Sequence, residues 1–547
     1  MPAPGGSRRR LFDDGRNSNR LAFMPSTPTA TIPAPLRNGG LALLSGILLA
    51  LPFLHSQLYL AGWIAFVPLL FALRGSTLPG AWLLGTVTGV TAWAAAHYWM
   101  PQMVANYLGH APAASVAAAT VYWLYVSQSI ALAALLFRGL EQRTGWPVPL
   151  LFPVSFVSVF ALFPLLTPIT LATGQTGFLP GIQGAALVGG HGVDLMLALT
   201  SALLFQGLHD GGRSWLRPTN VMASALVVAW FGYGIVTTLH WQAETAGWNK
   251  RSIGIVQPND PPSASIPPVA DGYTRLDPPE MAMTRELAAE GAELVVWPET
   301  RFKGYHRYPS VQQAYRRHVN ELQTPLIFQD NEGTETAEYN ASVILAADGT
   351  EAARYRKMRR MPFGEFIPLI EQFPLLEGPA RAYFGDASAE LSRGTGHASA
   401  IIADMRIVPK ICFETAIPAL VADAVSEQPQ GTVLVFQSMN NWFGETRQPY
   451  QHAAQAVLRG IENRVPVIHA MNNGPSTVSG PDGRIVATTD TFTRTTALLP
   501  LPHEPASGGS LYSRHPRAFL FTLYGVQVML IIAAFAVGRP RTAEATA

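Results

Sequence analysis

The chain has 547 residues, of which 48% are hydrophobic and only 14% are charged, and its formal net charge is +2. Soluble proteins usually carry about 25% charged residues, so this composition indicates a protein that lies partly in a membrane. The net charge is small and basic residues are not interleaved with aromatic ones, which argues against nucleic-acid binding. The single cysteine, Cys412, excludes an internal disulfide.

The uneven distribution of charge divides the chain into five regions. Residues 1–38 are rich in Arg, Pro, Ser and Thr and predict a disordered basic tail in the cytoplasm. Residues 39–240 carry almost no charge and predict a transmembrane domain, whereas residues 250–514 have the composition of a soluble domain. The apolar run 518–538 predicts a last membrane helix, and residues 539–547 a second cytoplasmic tail.

The transmembrane domain consists of apolar runs that are each about long enough to cross a bilayer of ~30 Å. With the run before the C-terminus, they predict a polytopic helical protein. The seven runs of this domain lie at roughly 39–55, 57–73, 80–100, 112–137, 147–167, 184–208 and 219–240.

Arginines in the connections predict the orientation of these helices. Every second connection carries arginine, whereas those near His55, at 102–112 and at 168–181 contain neither Lys nor Arg. Because positively charged connections stay in the cytoplasm, both termini are expected there and the soluble domain on the periplasmic side. The arginines concerned are Arg74, Arg138, Arg143, Arg213 and Arg217.

His191 and Asp194 are an ionisable pair near the outer end of the sixth predicted helix. Ionisable groups inside a bilayer are costly and often functional. Because both residues are close to the membrane surface, we expect water to satisfy them.

Strands alternate with helices in the soluble region, which predicts an α/β layered domain. Hairpins are predicted at Ala347-Asp348-Gly349 and Pro481-Asp482-Gly483, where turn residues separate apolar runs. Strands are predicted at 252–257, 293–297, 325–328, 405–412, 432–436 and 465–470, and helices near 278–290 and 449–463.

Glu299, Lys357 and Cys412 each come just after an apolar strand. Acyl transfer needs a nucleophile, a base that takes its proton, and a positive group that holds the oxyanion; Cys, Glu and Lys can supply these roles. Each residue also has a structural interpretation: Glu299 at a helix N-terminus, Lys357 in a basic surface run, Cys412 in the core. If Glu299 and Lys357 lower the pKa of the thiol, Cys412 should alkylate faster than a free thiol.

A larger set of motifs resembles the nitrilase superfamily, the carbon-nitrogen hydrolases, and within it the apolipoprotein N-acyltransferase family. The resemblance covers the whole soluble domain and extends to the arrangement of seven membrane helices before it and one after it. The motifs are Val-Val-Trp-Pro-Glu-Thr (295–300), Lys357 with Met-Pro-Phe-Gly-Glu-Phe-Ile-Pro (361–368), Ile-Cys-Phe-Glu (411–414), Asn-Trp-Phe-Gly (441–444), Gln451-His452, and Arg459 with Glu-Asn-Arg (462–464).

This resemblance implies an α-β-β-α sandwich on the outer face of the bacterial inner membrane and an acyltransferase that needs no metal or organic cofactor. The acyl donor would be a phospholipid, typically phosphatidylethanolamine, and the acceptor the α-amine of the diacylglyceryl-modified N-terminal cysteine of an apolipoprotein. Cys412 would carry the acyl chain as a thioester, and Glu299 would act as general base and acid. Lys357 and the Phe413 backbone N–H would stabilise the oxyanion.

Three further residues match positions that the resemblance places near the nucleophile. Glu365 and Glu414 would keep Lys357 charged and orient the amine, or would be structural. Trp442 would lie near the acyl-binding mouth, or would pack in the core.

Several loops depart from the pattern of the family, although the three catalytic candidates do not. Three other interpretations therefore stay open: a divergent paralogue with a different acceptor or donor, a membrane-anchored amidase that acts on a small amide, and a catalytically silent protein that binds lipid or lipoprotein. An amidase would act on water-soluble amides without phospholipid, and a silent protein would leave Cys412 unlabelled by electrophiles. The departures are Gln-Pro-Asn (257–259), Arg-Arg-Met-Pro (359–362), Ser-Met-Asn-Asn-Trp (438–442) and His-Ala-Met-Asn (469–472).

Overall fold

The structure is a computed structural model that describes residues 33–262, 269–299, 303–368, 370, 373–384 and 390–537. Residues 1–32 of the predicted N-terminal tail and the tail 539–547 lie outside the described residues. The first helix already begins at Ala34, within the region predicted to be a tail.

Within residues 33–248, the chain consists of helices and their connections. Proline stands in the first turn of several of these helices, such as Pro112 and Pro218, where the missing N–H removes no helical hydrogen bond. The helices are α1 Ala34–Leu54, α2 Leu60–Ile64, α3 Phe66–Leu73, α4 Leu78–Ala96, α5 Met100–Leu108, α6 Pro112–Thr144, α7 Val148–Leu162, α8 Leu179–Ile182, α9 Ala185–Val188, α10 Gly190–Asp210 and α11 Pro218–Ala246.

Six helical segments of the described chain are long and apolar enough to cross a membrane, and each coincides with a predicted run. The other two predicted runs form α4 and the 15-residue α7, which are helices that do not meet this criterion. The polytopic helical membrane domain is therefore confirmed, whereas eight crossings remain a prediction. The six segments are Ala34–Leu54, Ser56–Leu73, Pro112–Thr144, Gly190–Asp210, Pro218–Ala246 and Ala518–Ala536.

Small residues allow α4 and α6 to pack closely. A Cβ added to Gly85 of α4 would come within 2.7 Å of the Cα of Ala131, and one added to Gly89 within 2.7 Å of the Cα of Ser127. Such close backbone approach is typical of membrane helices, whose association depends on van der Waals packing.

The soluble part contains two six-stranded sheets. Its elements are β1 Asn249–Gln257, α12 Pro279–Ala289, β2 Leu294–Val296, α13 Pro309–Leu322, β3 Leu326–Gly333, β4 Glu338–Leu345, β5 Glu351–Arg356, α14 Glu377–Phe384, β6 Ala400–Ile402, β7 Met405–Ile411, α15 Pro418–Ser426, β8 Thr432–Ser438, α16 Gln448–Asn463, β9 Val467–Met471, β10 Thr477–Ser479, β11 Ile485–Thr488 and β12 Thr495–His503. Two helices follow, α17 Leu511–Arg514 and α18 Ala518–Ala536.

The two sheets pack face to face with helices on their outer sides. The first sheet has the strand order β12-β1-β2-β3-β4-β5 and the second β11-β10-β9-β8-β7-β6. Alternating residues of a strand face opposite layers: Ile255 lies in the core between the sheets, whereas Val256 packs against α12 and α13. On the second sheet, Ile407 faces the other sheet and Val408 faces α15 and α16. The expected α-β-β-α sandwich is confirmed.

The polypeptide enters and leaves this domain at neighbouring strands. β1 follows α11 directly and pairs antiparallel with β12, so that Asn249 is opposite His503. After β12 the chain passes through α17 into α18, which returns to the membrane helices, where Arg143 donates its Nε to the Ala534 carbonyl at 2.7 Å.

The expectation that water satisfies His191 and Asp194 is wrong for Asp194. This side chain is fully buried, accepts the Ala172 backbone N–H at 2.9 Å and lies 3.0 Å from His191 Nδ1. The residues just after α7 fold back over the start of α10 and exclude water from the carboxylate, which the periodicity of one helix could not reveal.

Candidate active site

Cys412 comes directly after β7, at the carboxyl end of a strand that pairs parallel with β8. Its φ is +46°, in the left-handed region that residues with a side chain seldom adopt. A 3₁₀ turn, Cys412–Ala416, follows, and Pro418 begins α15. The strand therefore ends abruptly at the cysteine, whose side chain is only partly buried.

Glu299 follows β2 in the first sheet, whereas Cys412 belongs to the second. Gln437, at the end of β8, connects the two sheets: its Nε2 donates to the Trp297 carbonyl at 2.8 Å, and its Oε1 accepts from Ser342 Oγ at 2.5 Å. These buried hydrogen bonds fix the backbone two residues before Glu299 relative to the cysteine strand.

Lys357 follows β5 and is buried, with 2% of its surface exposed. Its Nζ donates to Glu365 Oε1 at 2.9 Å and lies 3.6 Å from Glu299 Oε1. Burial alone lowers the pKa of a lysine, but the charges of Glu365 and Glu299 outweigh burial and raise the pKa of Lys357. The ammonium is therefore a fixed positive charge beside the cysteine.

Asn340 is a residue of this cluster that the sequence analysis missed. Its Nδ2 donates to Glu299 Oε1 at 2.8 Å and to Glu365 Oε1 at 2.9 Å, and its Oδ1 accepts from Gln329 Nε2 at 3.0 Å. The two carboxylates thus share Asn340 as a donor, and both form ion pairs with the Lys357 ammonium. An asparagine that opens the otherwise apolar run of β4 is the signal that could have identified it.

The Cys412 thiol lies close to Glu299, Lys357 and Glu365, whose charges act on its pKa. Burial raises the pKa of the thiol, the charge of Glu299 raises it further, and Lys357 only partly offsets these effects. The expectation of a lowered thiol pKa is therefore wrong, because burial, Glu299 and Glu365 together outweigh the one lysine. A protonated thiol beside a carboxylate suits a mechanism in which the base removes the proton during attack.

The oxyanion donors expected from the sequence lie beside the cysteine. The Phe413 backbone N–H has no hydrogen-bond acceptor among the residues that the structure describes. The Lys357 ammonium has three N–H donors and uses one of them on Glu365. A free backbone N–H and an ammonium are suited to stabilise the negative oxygen of a tetrahedral intermediate.

Glu414 is fully buried, and its carboxylate accepts four hydrogen bonds. The bonds join the segment after β5 to the turn after β7, which are the two segments that carry the lysine and the cysteine. This geometry fits the structural interpretation of Glu414 better than a role in orienting an amine. The donors are Tyr355 Oη at 2.7 Å and the backbone N–H groups of Met358, Arg359 and Ile411 at 2.8, 3.0 and 3.0 Å.

Trp442 lies in a 3₁₀ turn, Asn441–Phe443, that packs against α5. Its carbonyl accepts from Asn106 Nδ2 at 3.0 Å, and its ring meets Tyr107 edge-on with centroids 5.0 Å apart. Tyr107 also donates its hydroxyl to the Gly364 carbonyl at 3.0 Å. Trp442 is half-buried, so it lies where the loops of the sandwich meet α5 rather than in the core of the sandwich.

Two known families match separate parts of the chain. The family described as Carbon-nitrogen hydrolase matches residues 280–504, and the family described as Apolipoprotein N-acyltransferase N-terminal domain matches residues 45–203. The first match includes all three catalytic candidates and most of the two-sheet sandwich, and the second lies within the membrane helices. The soluble domain is therefore a nitrilase-superfamily domain, here joined to a membrane domain.

Relatives named Apolipoprotein N-acyltransferase match over most of the chain. The protein of Gloeobacter violaceus is 30% identical over 77% of this chain and 80% of its own length. The protein of Geobacter metallireducens is 29% identical over 92% of this chain and 96% of its own length. The protein of Nitrosomonas europaea is 25% identical over 86% of this chain and 92% of its own length. The chain belongs to the apolipoprotein N-acyltransferase family, as the motifs predicted, and is a membrane-embedded acyltransferase of the nitrilase superfamily.

Solved structures match the soluble part. Saccharomyces cerevisiae Nit3, a member of branch 10 of the nitrilase superfamily, is 17% identical over 46% of this chain and 90% of its own, with a TM-score of 0.36. An amidase from Nesterenkonia sp. is 15% identical over 50% of this chain and 96% of its own, with a TM-score of 0.35.

Proposed function

We propose that the chain transfers a fatty acyl chain from a phospholipid, typically phosphatidylethanolamine, to the α-amine of the diacylglyceryl-modified N-terminal cysteine of an apolipoprotein. The observation that carries the proposal is the proximity of Cys412, Glu299 and Lys357 in one cluster. Family membership supports the overall reaction, and this contact supports a route through a thioester.

The first half-reaction acylates Cys412. Glu299 takes the thiol proton while Sγ attacks the ester carbonyl carbon of the phospholipid, and Lys357 Nζ and the Phe413 N–H hold the oxyanion. When the tetrahedral intermediate collapses, the ester C–O bond breaks and Glu299 returns the proton to the departing glycerol oxygen. The products are a thioester on Cys412 and a lysophospholipid.

The second half-reaction uses the same groups. The acceptor amine, in its neutral form, attacks the thioester carbonyl, and Glu299 takes a proton from the nitrogen. The C–S bond then breaks, an amide forms, and Glu299 returns the proton to the Cys412 sulfur. Glu365 and Asn340 hold Lys357 and Glu299 in place throughout.

The proposed location is the inner membrane, with the catalytic domain on the periplasmic face and both termini in the cytoplasm. The arginines of alternate connections support this orientation. The contacts of Trp442 and Gly364 with α5 support a cleft close to the membrane surface, where both lipid-anchored substrates lie. The proposed regions are the tail 1–38, whose last residues already belong to α1, the membrane domain 39–240, the catalytic domain 250–514, the membrane helix 518–538 and the tail 539–547.

Mass spectrometry of the intact protein purified from membranes tests the thioester. Wild type should carry a fatty-acyl adduct that hydroxylamine removes, and Cys412→Ala should not. Glu299→Ala should also lack the adduct, because no base then activates the thiol. An adduct that persists in Cys412→Ala would contradict the proposal.

The amidase alternative predicts a different result from the same protein. Wild type would then show no acyl adduct in membranes but would release ammonia from small amides in detergent without phospholipid. Transfer of labelled acyl chains to a diacylglyceryl-modified lipopeptide distinguishes the proposed acceptor from that of a divergent paralogue.

A further inference from the structure

α16 carries the motif Gln451-His452, which the proposed chemistry does not use. The helix lies between the membrane helices and the second sheet, and one face contacts each of them. Both side chains are buried, although glutamine and histidine are polar. Buried polar side chains need hydrogen-bond partners, and the partners of these two residues lie on opposite sides of the helix.

The Gln451 side chain binds the outer ends of the membrane helices. Its Nε2 donates to the Phe53 carbonyl at 3.1 Å and to the Ala96 carbonyl at 2.9 Å, and its Oε1 accepts from Trp99 Nε1 at 3.0 Å. The two carbonyls belong to the last turns of α1 and α4, where helical carbonyls have no partner within the helix. One amide therefore caps two membrane helices at once.

The His452 side chain binds the backbone at the nucleophile. Its Nε2 lies 3.3 Å from the Cys412 carbonyl and 3.2 Å from Thr415 Oγ1, and Thr415 Oγ1 donates to the same carbonyl at 2.7 Å. On the other side of the ring, the Asn440 amide faces Nδ1, with Nδ2 at 3.0 Å and Oδ1 at 3.2 Å. Because the Cys412 carbonyl can only accept a hydrogen bond, it assigns the proton of the neutral imidazole to Nε2.

Two further observations support a neutral, fixed ring. Burial lowers the pKa of His452 to about 4. The ring of His469 packs edge-on against it with centroids 4.8 Å apart, and His469 Nε2 in turn lies 2.8 Å from Ser438 Oγ. The imidazole is therefore held from both sides, and its N–H has a constant direction at neutral pH.

Cys412 needs such support because its backbone is left-handed. A left-handed conformation in a residue with a side chain costs free energy and persists only where the surroundings hold it. We propose that Gln451 and His452 together are a positioning element that fixes the Cys412 backbone relative to the outer ends of α1 and α4. The membrane domain then determines where the nucleophile stands, in addition to retaining the enzyme at its substrates.

This inference rests on the proposed role of Cys412 as nucleophile. The test measures kcat and KM for acyl transfer by the full-length protein in vesicles of phosphatidylethanolamine and phosphatidylglycerol, with a diacylglyceryl-modified lipopeptide as acceptor. The variants are His452→Leu, His452→Gln, Gln451→Leu and the double variant. Gln455→Leu is the matched control, because Gln455 lies one turn further along α16 and has no side-chain hydrogen bond among the described residues.

Loss of positioning should lower kcat and leave KM for phospholipid within about twofold, since misplacement of a reacting group by about 1 Å can cost ~100-fold in rate. His452→Leu and Gln451→Leu should each lower kcat about 10- to 100-fold, and His452→Gln, which keeps an N–H donor, should recover most of it. Because both residues act through the Cys412 backbone, the double variant should fall little below His452→Leu. Gln455→Leu should match wild type.

Three results would overturn the inference: wild-type kcat in both single leucine variants, an equal loss in Gln455→Leu, or no recovery in His452→Gln. If His452→Leu does not fold, Gln451→Leu carries the same test. Cys412→Ala separates this inference from the proposed function. If Cys412→Ala still transfers acyl chains, the proposed function fails; if it is inactive while the leucine variants are not, only the positioning role fails.

Discussion

At the scale of single residues, the site is organised by charge. Glu299 and Glu365 are negative, Lys357 is positive and the Cys412 thiol is neutral, so the cluster carries one net negative charge at rest. Ionising the thiol alone would place a second negative charge beside the two carboxylates. If the thiol proton moves to Glu299 during attack, the net charge of the cluster stays constant, because the negative oxyanion forms while the Glu299 carboxylate becomes neutral. The raised pKa of the thiol is therefore compatible with catalysis and protects the cysteine between turnovers.

Glu299→Gln should have opposite effects on labelling and on turnover. Removing the negative charge lowers the pKa of Cys412, so iodoacetamide should label the thiol faster at pH 7. Turnover should fall by about 10²- to 10⁴-fold, because the base is lost. Glu365→Gln is the comparison: it also removes a charge near the thiol but leaves the base, so it should speed labelling and reduce turnover less. Slower labelling of Glu299→Gln would contradict this account.

The labelling rate of wild-type Cys412 should rise with pH beyond the range in which ordinary thiols titrate. Below a raised pKa the thiolate fraction grows about tenfold per pH unit, so the rate should show no plateau below about pH 8.5. Lys357→Met removes the one positive charge that favours the thiolate, so it should slow labelling at every pH. The measurement is the second-order rate constant with iodoacetamide, followed by mass spectrometry. A plateau near neutral pH would show that Lys357 outweighs both carboxylates.

At the scale of secondary-structure elements, the site depends on two strands, β5 and β7, whose carboxyl ends are joined by hydrogen bonds. β5 ends just before Lys357 and β7 just before Cys412, and the Glu414 carboxylate joins the two ends through Tyr355 and three backbone N–H groups. Hydrogen bonds to a charged acceptor are stronger than those between neutral groups. Glu414 thus stabilises the distance between the Cys412 and Lys357 backbone segments through its hydrogen bonds to both.

Glu414→Gln should destabilise the protein although it preserves the size of the side chain. The amide oxygen can replace one carboxylate oxygen, but the NH₂ group cannot accept, so at least one buried backbone N–H loses its partner. The expected cost is about 1–3 kcal/mol in the free energy of unfolding, measured in detergent by denaturation. Glu427→Gln is the control, since the Glu427 side chain is exposed and its one ion pair among the described residues is with Arg406. Equal stability of the two variants would argue against the structural role of Glu414.

At the scale of the whole molecule, buried polar contacts join the membrane helices to the catalytic domain. Besides Gln451, Arg464 donates to Gln183 Oε1 at 2.6 Å, and Glu462 accepts the Gly190 N–H at 2.9 Å. Arg459 donates to the same Glu462 oxygen at 3.0 Å. Such contacts are costly to break one by one, since each leaves a buried charge or N–H without its partner.

Labelling of introduced cysteines can test the predicted orientation, because Cys412→Ala leaves no other cysteine. In that background, Gln57→Cys should react with a membrane-impermeant maleimide added to spheroplasts, and Gly212→Cys only after permeabilisation. Both positions are exposed, and a Cβ at Gly212 meets no atom within 4 Å, so neither change should disturb packing. If instead Gly212→Cys reacts in intact spheroplasts and Gln57→Cys reacts only after permeabilisation, the orientation is the opposite of the proposed one.

Features that depend on local pattern could be predicted from the sequence. The strands that precede Glu299 and Cys412 and the turns of both hairpins occupy the predicted positions, because apolar alternation and turn residues act over a few positions. The strand that precedes Lys357, β5, is not the apolar strand that was expected there, since three of its six residues are charged. α13, β6 and β12 were missed: α13 is amphipathic with few apolar residues, β6 has three residues, and β12 contains prolines. Asn340, the burial of Asp194 and the partners of Gln451 depend on tertiary contacts, which single-segment patterns do not report.

The pairing of β1 with β12 also has a consequence for biogenesis. β1 is synthesised directly after α11, but its antiparallel partner is made only after almost all of the catalytic domain, just before α18. In the proposed orientation the domain is exported while it is made, so the first sheet has an open edge for most of its synthesis, and an exposed edge strand is prone to pair with other chains. Insertion of α18 can occur only after β12 has been made, so closing the sheet and anchoring the C-terminus are the last steps of assembly. Truncations that remove β12 should accordingly yield membrane-inserted chains that aggregate on the outer side.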